Sequence, residues 1–270
     1  MSKEILVGVL QLPTIGMNAT RLEFYFKKAK ERGAKLLLLG EYVINHFFKE
    51  LASMPQSMIK EQTIKHIKIL KRLSKEHNIT VVAPIIEVKG DKFYKKVIKI
   101  SPNFYISYYM QQILINYNHW NEERFFSNPV TKLKEPLTFN LEGFKIAVIF
   151  GFEIHFDPIW EFISKKKVDL VLMPTATTFD SKYRWRNIIT TRAFLNNCYI
   201  LRANRVGEYI QKGIKWYFYG DSMLVDPGGK IEMNLEDKES MLIEPISKNK
   251  VKEYRKEWGF YNHLKKRGLR

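Results

Sequence analysis

Short apolar runs alternate with longer amphipathic segments along most of the chain. Residues 56–77 are of the second type, because Ile59, Ile67 and Leu70 recur at helical spacing and predict a long amphipathic helix. The other predicted helices are 21–32, 159–166 and 184–197. The predicted strands are 5–12, 35–39, 80–87, 95–100, 105–115, 144–150, 170–173, 199–204 and 222–225. Strands separated by helices indicate a layered α/β fold, in which sites usually lie at the carboxyl ends of strands.

Composition predicts a folded cytoplasmic protein without disulfides. The 270 residues are 45% hydrophobic and 14% aromatic, which is enough to build a substantial core. Cys198 is the only cysteine, so no disulfide forms within one chain and a reducing compartment fits best. The apolar run that begins at Ile5 is too short to span a membrane and predicts a buried strand rather than a signal peptide.

The chain is strongly basic, with 45 Lys and Arg against 28 Asp and Glu and a formal charge of +17. Such a charge attracts an acidic protein surface, nucleic acid or an anionic membrane, although a solvated lysine-rich surface is the simpler explanation. Residues 247–270 form a basic tail that also contains Tyr254, Trp258, Phe260 and Tyr261. We expect one domain over 1–246 and a tail over 247–270 that packs on the domain or on a dimer partner.

The segment IAVIFGFEIHF, residues 146–156, has the pattern of a nucleophile site without a nucleophile. Several hydrolase folds present a Cys or Ser where an apolar strand ends in a sharp turn, and Gly151 stands at that point here. Glycine has no side chain to attack a substrate. A turn at such a position is often strained for residues with a Cβ, so glycine is also expected to relieve backbone strain there.

Five motifs in order along the chain resemble the nitrilase (carbon–nitrogen hydrolase) superfamily. These are LLLLGEY at 36–42, YYMQQIL followed by NEERFF, IAVIFGFEIHF, the segment 184–207, and GDSMLVDPGGKI at 220–231. The resemblance covers nearly the whole chain and implies a four-layer α-β-β-α sandwich. It also implies a homodimer and hydrolysis of nitriles or amides by a cysteine, assisted by a glutamate, a lysine and a second glutamate.

The catalytic positions implied by this resemblance are only partly kept. The general-base glutamate falls on Glu41, and the second glutamate on Glu122, with Glu123 as the alternative. The cysteine falls on Gly151 and the lysine on Gln111. Removing a nucleophile from such a unit typically costs ~10⁴–10⁶ in rate, so we expect these four positions to be inactive.

Substitute chemistry finds little support in the sequence. Cys198 is expected to pack in the core, and His155 could activate a water with Glu41 but is more simply a structural or exposed residue. The spacing of His119, Glu122 and Glu123 is not diagnostic of a metal site, so no metal or cofactor is implied.

The sequence therefore predicts a non-catalytic homologue that binds a protein or a small ligand. The alternatives are an amidase-like carbon–nitrogen hydrolase with a rearranged site and a polyanion-binding protein. If Glu41 and Glu122 face each other without the lysine, any surviving pocket should prefer amines or neutral ligands over carboxylates, although a closed pocket is equally consistent with Gly151.

Overall fold

Two six-stranded sheets form the centre of the protein, whose computed structural model describes residues 3–211 and 213–268. The strands are β1 (Glu4–Gln11), β2 (Leu36–Leu39), β3 (Thr80–Lys89), β4 (Lys92–Ile100), β5 (Ile106–Met110), β6 (Leu137–Leu141), β7 (Phe144–Val148), β8 (Leu170–Thr175), β9 (Tyr199–Asn204), β10 (Val206–Gln211), β11 (Ile214–Tyr219), β12 (Met223–Val225), β13 (Ile231–Asn234) and β14 (Ser240–Ser247). The first sheet runs β14-β1-β2-β3-β4-β5 and the second β13-β12-β9-β8-β7-β6, while β10 and β11 form a separate hairpin.

Each sheet has a parallel centre and antiparallel edges. Strands β1, β2 and β3 are parallel in the first sheet, as are β7, β8 and β9 in the second. The inner faces pack against each other through a cluster that includes Val7, Leu38, Val97, Ile146 and Leu172. Because parallel strands end on the same side, the segments after β2, β7 and β8 come together at one edge of this core.

Helices cover the outer face of each sheet. The helices are α1 (Thr20–Glu31), α2 (Phe48–Leu51), α3 (Gln56–His77), α4 (Asp157–Lys166), α5 (Lys182–Asn196), α6 (Lys248–Glu257) and α7 (Phe260–Lys266). Helices α1 and α3 bury Leu22, Phe26 and Leu70 against the first sheet, and α4 and α5 bury Ile159 and Ile189 against the second. The predicted four-layer α-β-β-α sandwich is confirmed.

Several boundaries differ from those predicted. The strand expected over 105–115 covers only Ile106–Met110, and the chain beyond it turns inward as a loop. Strands β6, β10, β11, β13 and β14 and the tail helices were not predicted. Strands β6, β10 and β13 and helix α6 are mostly half-exposed or exposed, so they lack the continuous apolar runs of the buried strands. Strands β11 and β14 do contain apolar side chains and were simply not among the predicted strands.

The tail forms helices over Lys248–Glu257 and Phe260–Lys266, and aromatic side chains of this region pack within the same chain. The rings of Trp258 and Phe260 lie 5.8 and 5.2 Å from the ring of Phe194 on α5. Arg255 donates to the buried carboxylate of Asp169 at 3.0 Å, and Lys248 also pairs with that carboxylate. Pairing of two copies through this tail stays a prediction.

Within the described part of the chain, no helix combines the length and the apolar character that crossing a bilayer requires.

Replacing Arg255 by alanine should lower the free energy of unfolding by about 1–3 kcal/mol, because a hydrogen bond to a buried charge is lost. The matched control is Lys252→Ala, which removes an exposed cation from the same helix and should have little effect. Chemical denaturation measures both values. Equal stability of the two variants would mean that the tail does not depend on Asp169.

Candidate functional site

Glu41 lies at the carboxyl end of β2, between the two sheets. Strand β2 is buried along its whole length, and Gly40 follows it where a Cβ would stand only 3.0 Å from the carbonyl carbon of Asn204. The Glu41 N–H donates to the carbonyl of Thr175 at 3.1 Å, which ties the first sheet to the second. The glutamate is 6% exposed, so its carboxylate needs a partner inside the protein.

That partner is Lys95, on the inner face of β4. Its Nζ lies 2.5 Å from Oε2 of Glu41 and 2.7 Å from Oε1 of Glu122. The Tyr42 hydroxyl donates to the same Glu122 oxygen at 2.6 Å. The expectation that the two carboxylates face each other without a cation is therefore wrong. We call Glu41, Lys95 and Glu122 the buried charge triad.

Gln111 does not take part in the triad. Its side-chain amide donates to the carbonyl of Ile113 at 2.8 Å, while its backbone N–H donates to the carbonyl of Lys95 at 3.1 Å. Gln111 lies just after β5, whereas Lys95 lies on β4, the strand paired with β5. The sequence did contain a signal. Residues two apart lie on the same face of a strand, so Lys95 and Lys99 share a face of β4 with the apolar Val97.

The structure also distinguishes between the two candidate glutamates. Glu122 is fully buried in the triad, whereas Glu123 is exposed. The side-chain Oε2 of Glu122 has no hydrogen-bond partner among the described residues. The inward carboxylate is therefore that of Glu122.

Burial controls the protonation of the triad. It raises the pKa of Glu41 to about 7, although Lys95 and the N–H of Gly151 act in the opposite direction. Burial alone would lower the pKa of Lys95, but the two carboxylates outweigh it and raise that pKa above its ordinary value. The pKa of Tyr42 is raised well above its ordinary value by burial and by Glu122. A proton on Glu41 would leave one lysine against one carboxylate.

Gly151 begins a single 3₁₀ turn, Gly151–His155, directly after β7. A Cβ built on it would stand 2.5 Å from Cγ2 of Thr175 and 3.2 Å from the carbonyl oxygen of Pro174. Its φ lies outside the left-handed region, so the expected relief of backbone strain is wrong as the reason for glycine. The methyl group of Thr175 occupies the place that a nucleophile's side chain would need.

Glu153 anchors the same turn from inside. Its carboxylate accepts hydrogen bonds from the Phe150 N–H at 2.9 Å, the Gln112 N–H at 2.7 Å and the Tyr109 hydroxyl at 2.8 Å. Burial nevertheless raises the pKa of Glu153 to about 7, against the effect of these donors. The sequence shows Glu153 two residues after Gly151 but carries no signal for these contacts. Its contacts show a structural link between the turn and the segment after β5.

The other candidate residues stand apart from the triad. His155 is exposed, with Nδ1 2.9 Å from the carbonyl oxygen of Phe152 and its ring near Trp185, and the structure gives it no contact with Glu41. Burial raises the pKa of the Cys198 thiol to about 12, and the residue packs in the core against α5. Among the described residues, no three His, Cys, Asp or Glu side chains converge as metal ligands.

A cavity of about 590 Å³ lies beside the turn, and we call it the aromatic cavity. Its walls include Phe152 and Ala176, which follow Gly151 and Thr175 in the chain. The aromatic side chains that line it are Tyr117, His119, Trp120, Phe152, His155, Phe179 and Trp185. The residues of the triad do not line it, and the void beside Lys95 measures only about 10 Å³. Neither Glu41 nor Glu122 lies on the wall of these two spaces.

Comparisons with known proteins agree on the fold. A family model described as carbon-nitrogen hydrolase matches residues 6–256. A deaminated glutathione amidase of Synechocystis sp. is 21% identical and covers 97% of this chain and 98% of its own length. An N-carbamoylputrescine amidase of Arabidopsis thaliana is 23% identical over 96% of this chain and 92% of its own.

Solved structures match nearly end to end. A carbon-nitrogen hydrolase from Helicobacter pylori G27 superimposes with a TM-score of 0.85 at 18% identity, over 96% of this chain and 94% of the other. An amidase from Nesterenkonia sp. gives a TM-score of 0.76 at 18% identity, with 95% of each chain covered. At these identities the match concerns the fold.

Replacing Lys95 by methionine should lower the free energy of unfolding by about 3–5 kcal/mol at pH 7, because two buried carboxylates lose their cation. The deficit should shrink as the pH falls and Glu41, whose pKa burial already raises to about 7, takes up a proton. Lys92→Met removes an exposed lysine from the same strand and serves as the control. If both variants unfold at the same denaturant concentration, the triad is not an energetic unit.

Glu153 predicts a specific pH dependence of stability. Its pKa is about 7 in the folded protein against an ordinary value near 4.5, so the folded state holds the proton more tightly. Glu153 therefore makes its full contribution to the free energy of unfolding below pH 4.5. That contribution, about 3 kcal/mol, is lost as the pH rises to 7. Glu41 acts with the same sign. Glu153→Gln should reduce the loss of stability between pH 4.5 and pH 7 by the part that Glu153 contributes. Glu123→Gln, at an exposed site, should leave that loss unchanged. An unaltered slope in Glu153→Gln would contradict the assignment.

Proposed function

The chain belongs to the carbon–nitrogen hydrolase family, and on that premise we propose that it works as a non-catalytic binding protein. The observation that carries the proposal is the contact between Gly151 and Thr175. A missing nucleophile alone would leave an empty place, but here the Thr175 methyl lies 2.5 Å from where a Cβ would be. Covalent acyl transfer requires a side chain at that point.

The molecule proposed to bind is a planar, neutral or anionic compound in the aromatic cavity. Trp120, Phe152 and Trp185 offer flat apolar walls, and Thr177 and Ser181 offer hydroxyl groups. Arg184 lines the cavity and carries a permanent charge, and no carboxylate among the described residues lines it. An amine would find no counter-charge there. The sequence predicted a preference for amines because Glu41 and Glu122 were expected to lack a cation. Lys95 supplies that cation, so the reason for the preference no longer applies.

A second candidate function is an amidase with a rearranged site. It is favoured by the triad itself, because Lys95 restores a lysine between the two glutamates, and by relatives that are named as amidases. It would need water or another group to replace the missing nucleophile. Closure of the void beside Lys95 argues against access of such a water to a substrate.

A double-mutant cycle tests the contact between Gly151 and Thr175. Gly151→Cys alone should lower the free energy of unfolding by about 1–3 kcal/mol through overpacking. Thr175→Ser removes only the methyl and keeps the hydroxyl that bonds to Asn204 and Ala203. In the double variant the cost of the cysteine should largely disappear. Additivity within about 0.5 kcal/mol would show that the methyl does not fill the nucleophile's place.

Ammonia release separates the two candidate functions. Wild type, Glu41→Gln and Gly151→Cys/Thr175→Ser would be compared on a panel of primary amides, nitriles and N-carbamoyl amines. We expect wild type and Glu41→Gln to be equally silent. Ammonia release by wild type that disappears in Glu41→Gln would overturn the non-catalytic proposal in favour of the rearranged amidase.

Binding in the aromatic cavity can be followed by tryptophan fluorescence, because Trp120 and Trp185 line it. Benzamide, benzoate and benzylamine have similar shapes and differ in charge. Benzamide and benzoate should change the emission at lower concentrations than benzylamine. Phe179→Ala should weaken this response, whereas Phe104→Ala should not. The two phenylalanines are both 48% exposed and both have positive φ, but only Phe179 lines the cavity. Equal responses in the two variants would contradict the assignment.

A further inference from the structure

Strand β4 directs a second lysine into the space between the sheets. Lys99 follows Lys95 by four residues, so both side chains lie on the same face of the strand. Lys99 is only 6% exposed. Its Nζ lies 4.9 Å from the centre of the Tyr105 ring and 5.2 Å from that of Phe139. These aromatic faces attract a cation but carry no net charge.

Unlike Lys95, this second lysine has no acidic partner. Within the described residues, no carboxylate oxygen comes within 4.0 Å of its Nζ, and no hydrogen bond to its side chain is formed. Burial lowers the pKa of Lys99, which is the expected effect of an amine without a counter-charge. A buried ammonium in this state is costly unless something else pairs with it.

The space around Lys99 is a cavity of about 520 Å³ at the opposite end of the sandwich from Glu41. Lys35 and Thr80, which line it, stand where β2 and β3 begin, whereas Glu41 stands where β2 ends. Asn78, Ser101 and Asn140 add amide and hydroxyl groups to the wall. We call this space the Lys99 cavity.

We propose that the Lys99 cavity binds a small phosphorylated molecule, with the Lys99 ammonium as its buried counter-ion. Lys35 brings a second ammonium that has no ion pair among the described residues, so the site can match two negative charges. The amides and hydroxyls supply donors for further phosphoryl oxygens. Within the part of the chain that the structure describes, no arginine lines the cavity, so the planar two-bond recognition typical of carboxylates is missing there.

Among the described residues Glu142 is the one acidic residue on the wall, and it limits where the anion can lie. It is exposed in the turn between β6 and β7, with a positive φ of 47°. Its carboxylate repels a phosphoryl group from that side. The anion is therefore placed toward the buried Lys99, away from Glu142, with the exposed Lys35 as the second cation.

Isothermal titration calorimetry at low ionic strength tests the proposal with ribose 5-phosphate, inorganic phosphate and uncharged ribose. Ribose 5-phosphate should bind and ribose should not. Lys99→Met keeps the aliphatic stem and should weaken binding by about 10- to 100-fold, the size carried by one charge-assisted hydrogen bond. Lys92→Met removes the same charge from an exposed site of the same strand and controls for the +17 charge of the chain.

A second variant keeps the test valid if Lys99→Met does not fold. Asn140→Asp places a carboxylate on the cavity wall, where it should compete with the ligand for Lys99 and abolish binding while the protein remains folded. Binding of inorganic phosphate with the same dependence on Lys99 would also support a phosphoryl site. The proposal is overturned if neither phosphate compound binds, if Lys99→Met and Lys92→Met weaken binding equally, or if Asn140→Asp binds as wild type does.

Discussion

The ion pairs of Lys95 with Glu41 and Glu122 are the constraint on which the rest of the site depends. Two carboxylates buried this deeply cannot both stay ionised without a cation, and the protein supplies one from β4. The triad joins β2, β4 and the loop that carries Glu122. Through the hydrogen bond from Glu41 to Thr175, it is also tied to the second sheet. One edge of the sandwich core is thus held by a buried lysine that bridges two carboxylates.

This packing shows how two buried glutamates are accommodated beside a residue that has no side chain. Glu41 and Glu122 are paired with Lys95, so their burial does not depend on a side chain at residue 151. The methyl group of Thr175 lies where a Cβ on Gly151 would point, while the Thr175 hydroxyl stays bonded to Asn204. Residues 151 and 175 therefore pack as one unit, and the aromatic cavity beside them presents ring faces.

The sequence predicted the layers well because their signals are local. Apolar runs and helical spacing identified the buried strands and α3, whose bounds Gln56–His77 agree with the prediction. The sequence did not identify Lys95, because the motif that matches the family's lysine segment lies after β5, at Gln111. Lys95 lies on β4, which is paired with β5 in the sheet. The contact of Thr175 with Gly151 depends on the pairing of β7 with β8, and no short-range pattern encodes it.

The most direct test of this account is an NMR titration of the glutamate side-chain carboxyls, with the protein labelled with ¹³C at those carbons. Burial should give two carboxyl signals with a pKa of about 7, and the signal of Glu41 should be absent from Glu41→Gln while that of Glu153 remains. The account is contradicted if every glutamate titrates near its ordinary value, below about pH 5, because Glu41 would then be solvated and the triad would not be the closed centre of the fold.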